Sequence, residues 1–211
     1  MNQSVLEKLL QHGLEKLNLS ADANYRQKFF TYLELLMQWN RKINLTAIKD
    51  PKNIIIQHFF DSLSIHRFIQ GKKIIDVGSG GGFPGLPLSL YFPTKRFYLL
   101  DSSAKRCSFL RQVVYQLQLT NVAVICQRSE QYQPEFCFDQ VLCRAYAKLG
   151  TILQSTQHLL CRNGQILAMK AKLTAEELAD LTSEQNHQIV PLAVPFLQAE
   201  RSLVVLMIPA N

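Results

Sequence analysis

Lys72-Lys73-Ile74-Ile75-Asp76-Val77-Gly78-Ser79-Gly80-Gly81-Gly82-Phe83-Pro84-Gly85-Leu86-Pro87-Leu88 decides the fold. The residues up to Val77 form a short apolar run that reads as a strand. Pro84 falls where the first turn of a helix tolerates a missing N–H, so the segment after the glycines reads as a helix start. Between strand and helix lie Gly78, Gly80 and Gly82, at every second position. Five of the chain's nine glycines fall between Gly78 and Gly85, so the clustering is not a product of composition. Glycine takes positive φ without a Cβ penalty and lets the backbone approach a ligand. Strand, glycine turn and helix make the opening unit of an open α/β sheet, in which ligands bind beyond the carboxyl ends of the strands.

Two ligand classes compete for this turn. Gly80-Gly81-Gly82-Phe83-Pro84-Gly85 fits the dinucleotide pattern G-x-G-x-x-G. That register starts two residues late relative to the strand, places Pro84 inside the loop, and leaves Asp76 where a pyrophosphate would meet an extra negative charge. The register led by Asp76, with Gly78 and Gly80 following, is the arrangement with which methyltransferases bind S-adenosylmethionine (SAM). SAM carries a sulfonium and an amino group, and a carboxylate suits both.

Outward from the loop, strands are expected at 73–77, 97–101, 122–126, 139–143, 165–170, 187–194 and 202–208. Helices are expected between them at 84–91, 104–118, 148–161 and 174–184. Alternation of strand and helix means a mostly parallel sheet with helices on both faces. The last two strands have no helix between them and are expected to pair antiparallel. The expected fold is therefore α/β, a Rossmann-like class I SAM-dependent methyltransferase with a seven-stranded, mostly parallel sheet.

Upstream, Leu6, Leu9, Leu10, Leu14 and Leu17 make a helical stripe over 4–17. Ser20 is placed to cap a second helix, 22–40, which buries Phe29, Phe30, Leu33, Leu36, Met37 and Trp39. Asp50-Pro51 opens a third, 51–69. Arg41-Lys42-Ile43-Asn44-Leu45-Thr46 reads as too polar and β-branched to continue the second helix. Residues 1–70 thus form a helical extension, and 71–211 the methyltransferase domain.

Several residues at strand ends carry chemistry. Asp101 ends the second strand, where an acid commonly binds ribose hydroxyls; the alternative is that it caps the next helix with Ser102 and Ser103, and the glycine loop favours the ribose role. Lys105 and Arg106 open that helix, against the macrodipole; pairing with Asp101 or contact with RNA phosphate would account for them. Ser129 and Glu130, in the loop after the third strand, are placed over the adenine. Arg144 ends the fourth strand and Lys170 the fifth; these two are the candidate catalytic residues. Cys143, preceded by Leu142 rather than Pro, reads as a small buried residue and not as a nucleophile. Asn-Pro-Pro-Tyr is absent, which disfavours methylation of exocyclic amines. His58, Asp61 and Ser62 share one helix face, and they either belong to a site or tie the helix to the sheet.

The 211 residues carry a formal charge of +7 and are 47% apolar, enough for a packed core. Residues 1–112 hold 16 Lys and Arg against 8 Asp and Glu, and residues 113–211 hold 7 against 8. One basic half suits a phosphate-rich partner. No run is long or apolar enough to span a membrane, and no leader is apparent. Cys107, Cys126, Cys137, Cys143 and Cys161 are odd in number with no C-x-x-C, which points to reduced thiols of the cytoplasm rather than disulfides or a metal site.

Asn44-Leu45-Thr46-Ala47, His58-Phe59-Phe60-Asp61-Ser62-Leu63, the Asp76–Gly85 loop, Leu99-Leu100-Asp101-Ser102, Lys105-Arg106, Phe109-Leu110-Arg111-Gln112, Arg144-Ala145 and Lys170 occur in one order. In that order they resemble the ribosomal small-subunit methyltransferase G family, also called glucose-inhibited division protein B. The resemblance runs from about residue 25 to 172. It implies a bacterial cytoplasmic enzyme that transfers methyl from SAM to N7 of guanine 527 in 16S rRNA, with the 30S subunit or an assembly intermediate as partner. By position it places Gly78, Phe83, Ser129, Glu130 and Arg144 at the cofactor. Gly81 and Phe83 stand where the family more often has Pro or Ala and Leu, and Cys143 where Ser is common. A monomer is expected. N7 loses no proton on methylation, so catalysis should rest on alignment rather than on a general base. A nicotinamide dehydrogenase and a non-catalytic RNA-binding factor with a relic pocket are the rival readings.

Overall fold

The computed structural model describes residues 3–179 and 186–208. Strands β1 (Lys73–Val77), β2 (Arg96–Asp101), β3 (Val122–Cys126), β4 (Phe138–Arg144), β5 (Leu160–Lys170), β6 (His187–Pro191) and β7 (Ser202–Met207) form one sheet in the order β3-β2-β1-β4-β5-β7-β6. The first five run parallel; β7 is antiparallel to β5, and β6 to β7. Successive side chains of a strand point to opposite faces, and here each face meets its own core. Ile74, Phe97, Leu99, Leu142 and Leu167 pack on one side, and Ile75, Leu100, Val141, Ile166 and Ala168 on the other. Burial on both faces explains why these strands are continuous apolar runs.

The first face carries the N-terminal helices α1 (Gln3–Lys16) and α2 (Ala23–Ile43) together with α5 (Gly85–Tyr91) and α6 (Ala104–Gln116). The second carries α7 (Leu149–Thr156). A composite helix completes the first face: α3 (Pro51–Ile54), a π-helical stretch (Ile55–Phe60) and α4 (Asp61–Leu63). It enters through Asp50, whose Oδ2 accepts from Asn53 N at 2.9 Å. Phe59 and Phe60 are fully buried within that core.

Several expectations need correction. Asp22, not Ser20, caps α2; its Oδ1 accepts from Tyr25 N at 2.7 Å. The helix also runs through Arg41 and Lys42 to Ile43, because exposed cations suit a helix C-terminus, and it stops at Asn44, whose φ of 47° is left-handed. β5 begins at Leu160, where it pairs with Phe138, so the preceding helix is shorter than the sequence suggested. Finally, Cys137 and Cys161 form a disulfide, against the expectation of reduced thiols throughout. They flank the paired residues Phe138 and Leu160 at the starts of two neighbouring strands, a proximity made by sheet topology. The third helix ends at Leu63, followed by a 3-10 turn at His66–Phe68. The last is α8 (Ala175–Ala179), and positions 180–184 of that expected helix lie outside the described residues.

Candidate functional site

The glycine loop follows β1 and forms the floor of a cleft. Gly78, Gly80 and Gly82 have φ of 73°, 56° and 94°, the left-handed backbone that favours glycine. The loop is pinned from below and from both sides. Gly78 N and Ser79 N donate to Leu100 O at 2.8 and 3.1 Å. Gly80 N donates to Asp101 Oδ2 at 2.9 Å, and Gly85 N to Asp76 Oδ2 at 2.9 Å. The Tyr32 hydroxyl of α2 donates to Gly81 O.

Asp76 lies behind this loop. It is fully buried, and its Oδ1 has no partner. Burial pushes its carboxyl up to about 7, the Gly85 N–H only partly offsetting that. Asp101 at the tip of β2 does two things. Besides Gly80, it accepts from Ser103 N at 2.8 Å, and Arg106 lies 3.5 Å from its Oδ2. The cap of α6 is Ser103, whose hydroxyl accepts from Arg106 N at 3.5 Å.

Two cavities meet at Gly78, Arg106 and Ala145. The smaller, about 210 Å³, is walled by Asp101, Gln127, Ser129, Glu130 and Tyr146. Ser129 Oγ and the Tyr146 hydroxyl are 2.7 Å apart across it. The larger, about 440 Å³, takes its walls from Phe83, Arg144, Met169 and Lys170 and from the Leu45–Ile48 loop. Gly78, Gly80, Phe83, Arg144 and Lys170 thus share one cavity, and Asp101, Ser129 and Glu130 the other, with Asp76 beneath.

Arg144 is the most constrained side chain of the cleft. Its Nη1 donates to Gln57 O at 3.1 Å and to Asp61 Oδ2 at 3.0 Å, and its Nη2 meets His58 Nδ1 at 3.2 Å. Its guanidinium lies 5.0 Å from the centre of the Phe83 ring. Guanidinium only donates, so His58 Nδ1 accepts and the ring proton sits on Nε2, 2.7 Å from Thr46 Oγ1. Burial, and then Arg144, lower His58 to about 3. The imidazole stacks on Phe83 at 4.7 Å. Asp61 also accepts from Arg201 Nε at 3.2 Å, so one buried carboxylate joins two arginines. His58 and Asp61 line the cleft, and through Arg144 they tie the composite helix to β4. Ser62 does neither, since its hydroxyl donates to His58 O at 2.6 Å within the helix.

Lys170 Nζ donates to Ala147 O and to Glu177 Oε1, each at 2.6 Å, so its charge is compensated. Burial raises the Cys143 thiol well above the usual range, in keeping with a core residue. Among the described residues no three His, Cys, Asp or Glu side chains gather where they could hold a metal. None of the helices there is long and apolar enough to cross a membrane.

The sequence model of the rRNA small subunit methyltransferase G family matches residues 25–204. The chain belongs to that family. Members from Coxiella burnetii (strain Dugway 5J108-111) and Nitrosococcus oceani, both named ribosomal RNA small subunit methyltransferase G, are similar to it over nearly their whole lengths. The first is 43% identical over 195 residues, 92% of this chain and 95% of the relative. The second is 41% identical over 202 residues, 95% and 94%. Among solved structures, cofactor-bound Rv0187 from MTB superposes with a TM-score of 0.65 at 15% identity, covering 100% of this chain and 99% of its own. An O-methyltransferase from Bacillus cereus in complex with SAH follows at 0.61 and 13%, covering 94% and 96%. At such identities these two bear on the fold alone.

Within this methyltransferase G chain, sequence reasoning missed Tyr32, Tyr146 and Arg201. Tyr32 sits on the apolar stripe of α2 and could have been found as a polar tip inside a buried aromatic face. Arg201 carries no local signal, because its partner Asp61 lies 140 positions upstream.

Proposed function

We propose that this protein transfers the methyl group of SAM to N7 of guanine 527 in the 16S rRNA of the bacterial small subunit, acting in the cytoplasm as a monomer. One observation carries the reading: a chain of this family holds a two-part cleft at its strand ends, acidic and polar on one side of Gly78, aromatic and arginine-bearing on the other. The donor set fits SAM. Carboxylates at Asp101 and Glu130 suit a nucleoside's hydroxyl and amino groups. Gly78 and Gly80 keep the floor free of Cβ atoms; one on Gly78 would stand 2.6 Å from Tyr146 Cδ2. Asp76 serves this ligand through the loop it holds. When bound, the cofactor supplies an electrophilic methyl on a cationic sulfur.

The chain's own residues position and shield. N7 of guanine has an in-plane lone pair and no proton, so no general base is required. His58 stays neutral near pH 7 and holds Arg144 through a fixed tautomer. Arg144, braced at three acceptors and against Phe83, orients the cleft wall without adjusting during the reaction. Residues 1–70 form a helical extension on the 71–211 core, and the basic half of the chain, residues 1–112, grips rRNA phosphates.

The test is incubation with labelled SAM and 30S subunits or 16S rRNA lacking the modification, followed by cleavage mapping at N7-methylguanine. Label at one guanine is the expected result. SAM binding with no label in rRNA would overturn the acceptor assignment.

A further inference from the structure

We propose that Trp39, with Lys42 beside it on α2 and Lys105 one turn before its ring partner Phe109 on α6, is a docking platform for a single-stranded stretch of the RNA beside the target guanine: a base stacks on the indole while the lysines hold phosphates. The inference rests on the rRNA reading above.

Trp39 is the chain's single tryptophan. It is partly exposed, and with Gln38 and Lys42 it lines a hollow of about 130 Å³ on the outer side of α2. One side of the indole is fixed against Phe109 of α6, ring centres 5.7 Å apart. A half-open aromatic held rigid from behind is what base stacking uses.

The charges around it match a phosphate backbone. Lys42 is three positions along α2 from Trp39, and Lys105 is four before Phe109 on α6, so each lies on the face that carries the ring pair. Both are exposed. Lys105 stands in the first turn of α6, where the macrodipole opposes a cation; an approaching phosphate removes that conflict. Residues 38–52 carry Arg41, Lys42, Lys49 and Lys52 against Asp50 alone.

The platform adjoins the cleft through covalent neighbours. Asn40, next to Trp39, holds Thr46 by two hydrogen bonds of 2.9 and 2.8 Å. Thr46 in turn meets His58, and Leu45, Thr46 and Ile48 line the larger cavity. The loop that lines the cleft is thus tied to the residue next to Trp39.

The single tryptophan makes the test direct. A short single-stranded RNA of the 16S sequence around the target guanine is titrated into the full chain. Trp39 emission is followed beside the anisotropy of an end-labelled copy. Emission should fall in step with binding. Trp39→Ala should weaken binding about 5- to 100-fold, and Trp39→Phe, which keeps the packing on Phe109, by less. Lys42→Ala and Lys105→Ala should each lower the slope of log K against log salt by about 0.7. In methylation of 30S subunits the same variants should raise KM for the subunit and leave KM for SAM unchanged. RNA bound with unchanged emission, lysine variants that keep the full salt slope, or an unchanged KM for 30S would overturn the platform. Methyl transfer by the unaltered chain is scored separately. Intact transfer with a silent Trp39 removes the platform and keeps the function, whereas no transfer to any rRNA removes both.

Discussion

Asp76, fully buried, and His58, half-buried at the cleft wall, respond to pH in opposite senses. A carboxyl raised to about 7 holds a proton in the folded state that the unfolded chain gives up near pH 4. Its contribution is fully present below about pH 4 and is lost as pH rises to about 7, a swing of at most ~4 kcal/mol. An imidazole lowered to about 3 refuses a proton that the unfolded chain takes near pH 6.5. Its contribution is present above about pH 6.5 and is lost as pH falls towards 3. The two slopes partly cancel in the intact protein. Asp76→Asn should therefore unmask acid sensitivity, and His58→Gln should make the protein more stable on mild acidification. Urea unfolding at about pH 4.5 and about pH 7.5 checks both. Equal slopes in all three proteins would show that neither group titrates away from its unfolded value.

At the scale of elements, the composite helix is held at two places. Its Phe60 ring covers Gly13 of α1, and a Cβ there would stand 2.0 Å from Phe60 Cζ. Gly13→Ala adds helix propensity worth about 1 kcal/mol but overpacks the contact at roughly 1–3 kcal/mol, so thermal melting should show a net loss. The other anchor is Asp61, which bridges β4 and the start of β7 through Arg144 and Arg201. Removing either arginine leaves the carboxylate one partner. Removing Asp61 leaves two half-buried cations without their shared counter-charge. Asp61→Asn should thus destabilise more than Arg144→Ala or Arg201→Ala, by ~2 kcal/mol or more; a smaller loss than either arginine variant would sink this account. Methyl transfer should fall sharply in Arg144→Ala while the fold persists, as Arg201 still holds Asp61. The composite helix also marks a limit of sequence reading. Its start, signalled by Asp50-Pro51, and its polar face were legible because caps and periodicity are local. The π-helical stretch that presents Gln57 O and His58 to Arg144 was not, because a change of hydrogen-bond register is set by packing.

Across the whole molecule the same division holds. All seven strands and the antiparallel return of the last pair were legible: burial on both faces writes the central strands as apolar runs, turn residues bound the more exposed β3 and β6, and the glycine loop names the ligand edge. Two bridges that close the site join residues far apart in sequence, Tyr32 to Gly81 and Asp61 to Arg201, and the Cys137–Cys161 disulfide does the same at the opposite end of the sheet. No local pattern encodes such pairs. They matter because the cleft has no single owner. Its floor comes from the loop after β1, its acid from the tip of β2, Ser129 from the loop after β3 and Tyr146 from the loop after β4. A ligand seated there touches four strand ends at once and resists their separation. SAM at about 100 times its Kd should add ~2.7 kcal/mol to folding, and for a chain of this size that raises Tm by roughly 5–10 °C. NADH should leave Tm unchanged. In Gly78→Ala the new methyl meets Tyr146 at 2.6 Å on a backbone with φ of 73°, so the SAM-dependent rise should vanish while the unliganded Tm falls only slightly. A rise with NADH and none with SAM would instead favour the later glycine register, in which Gly80, Gly82 and Gly85 cradle a dinucleotide.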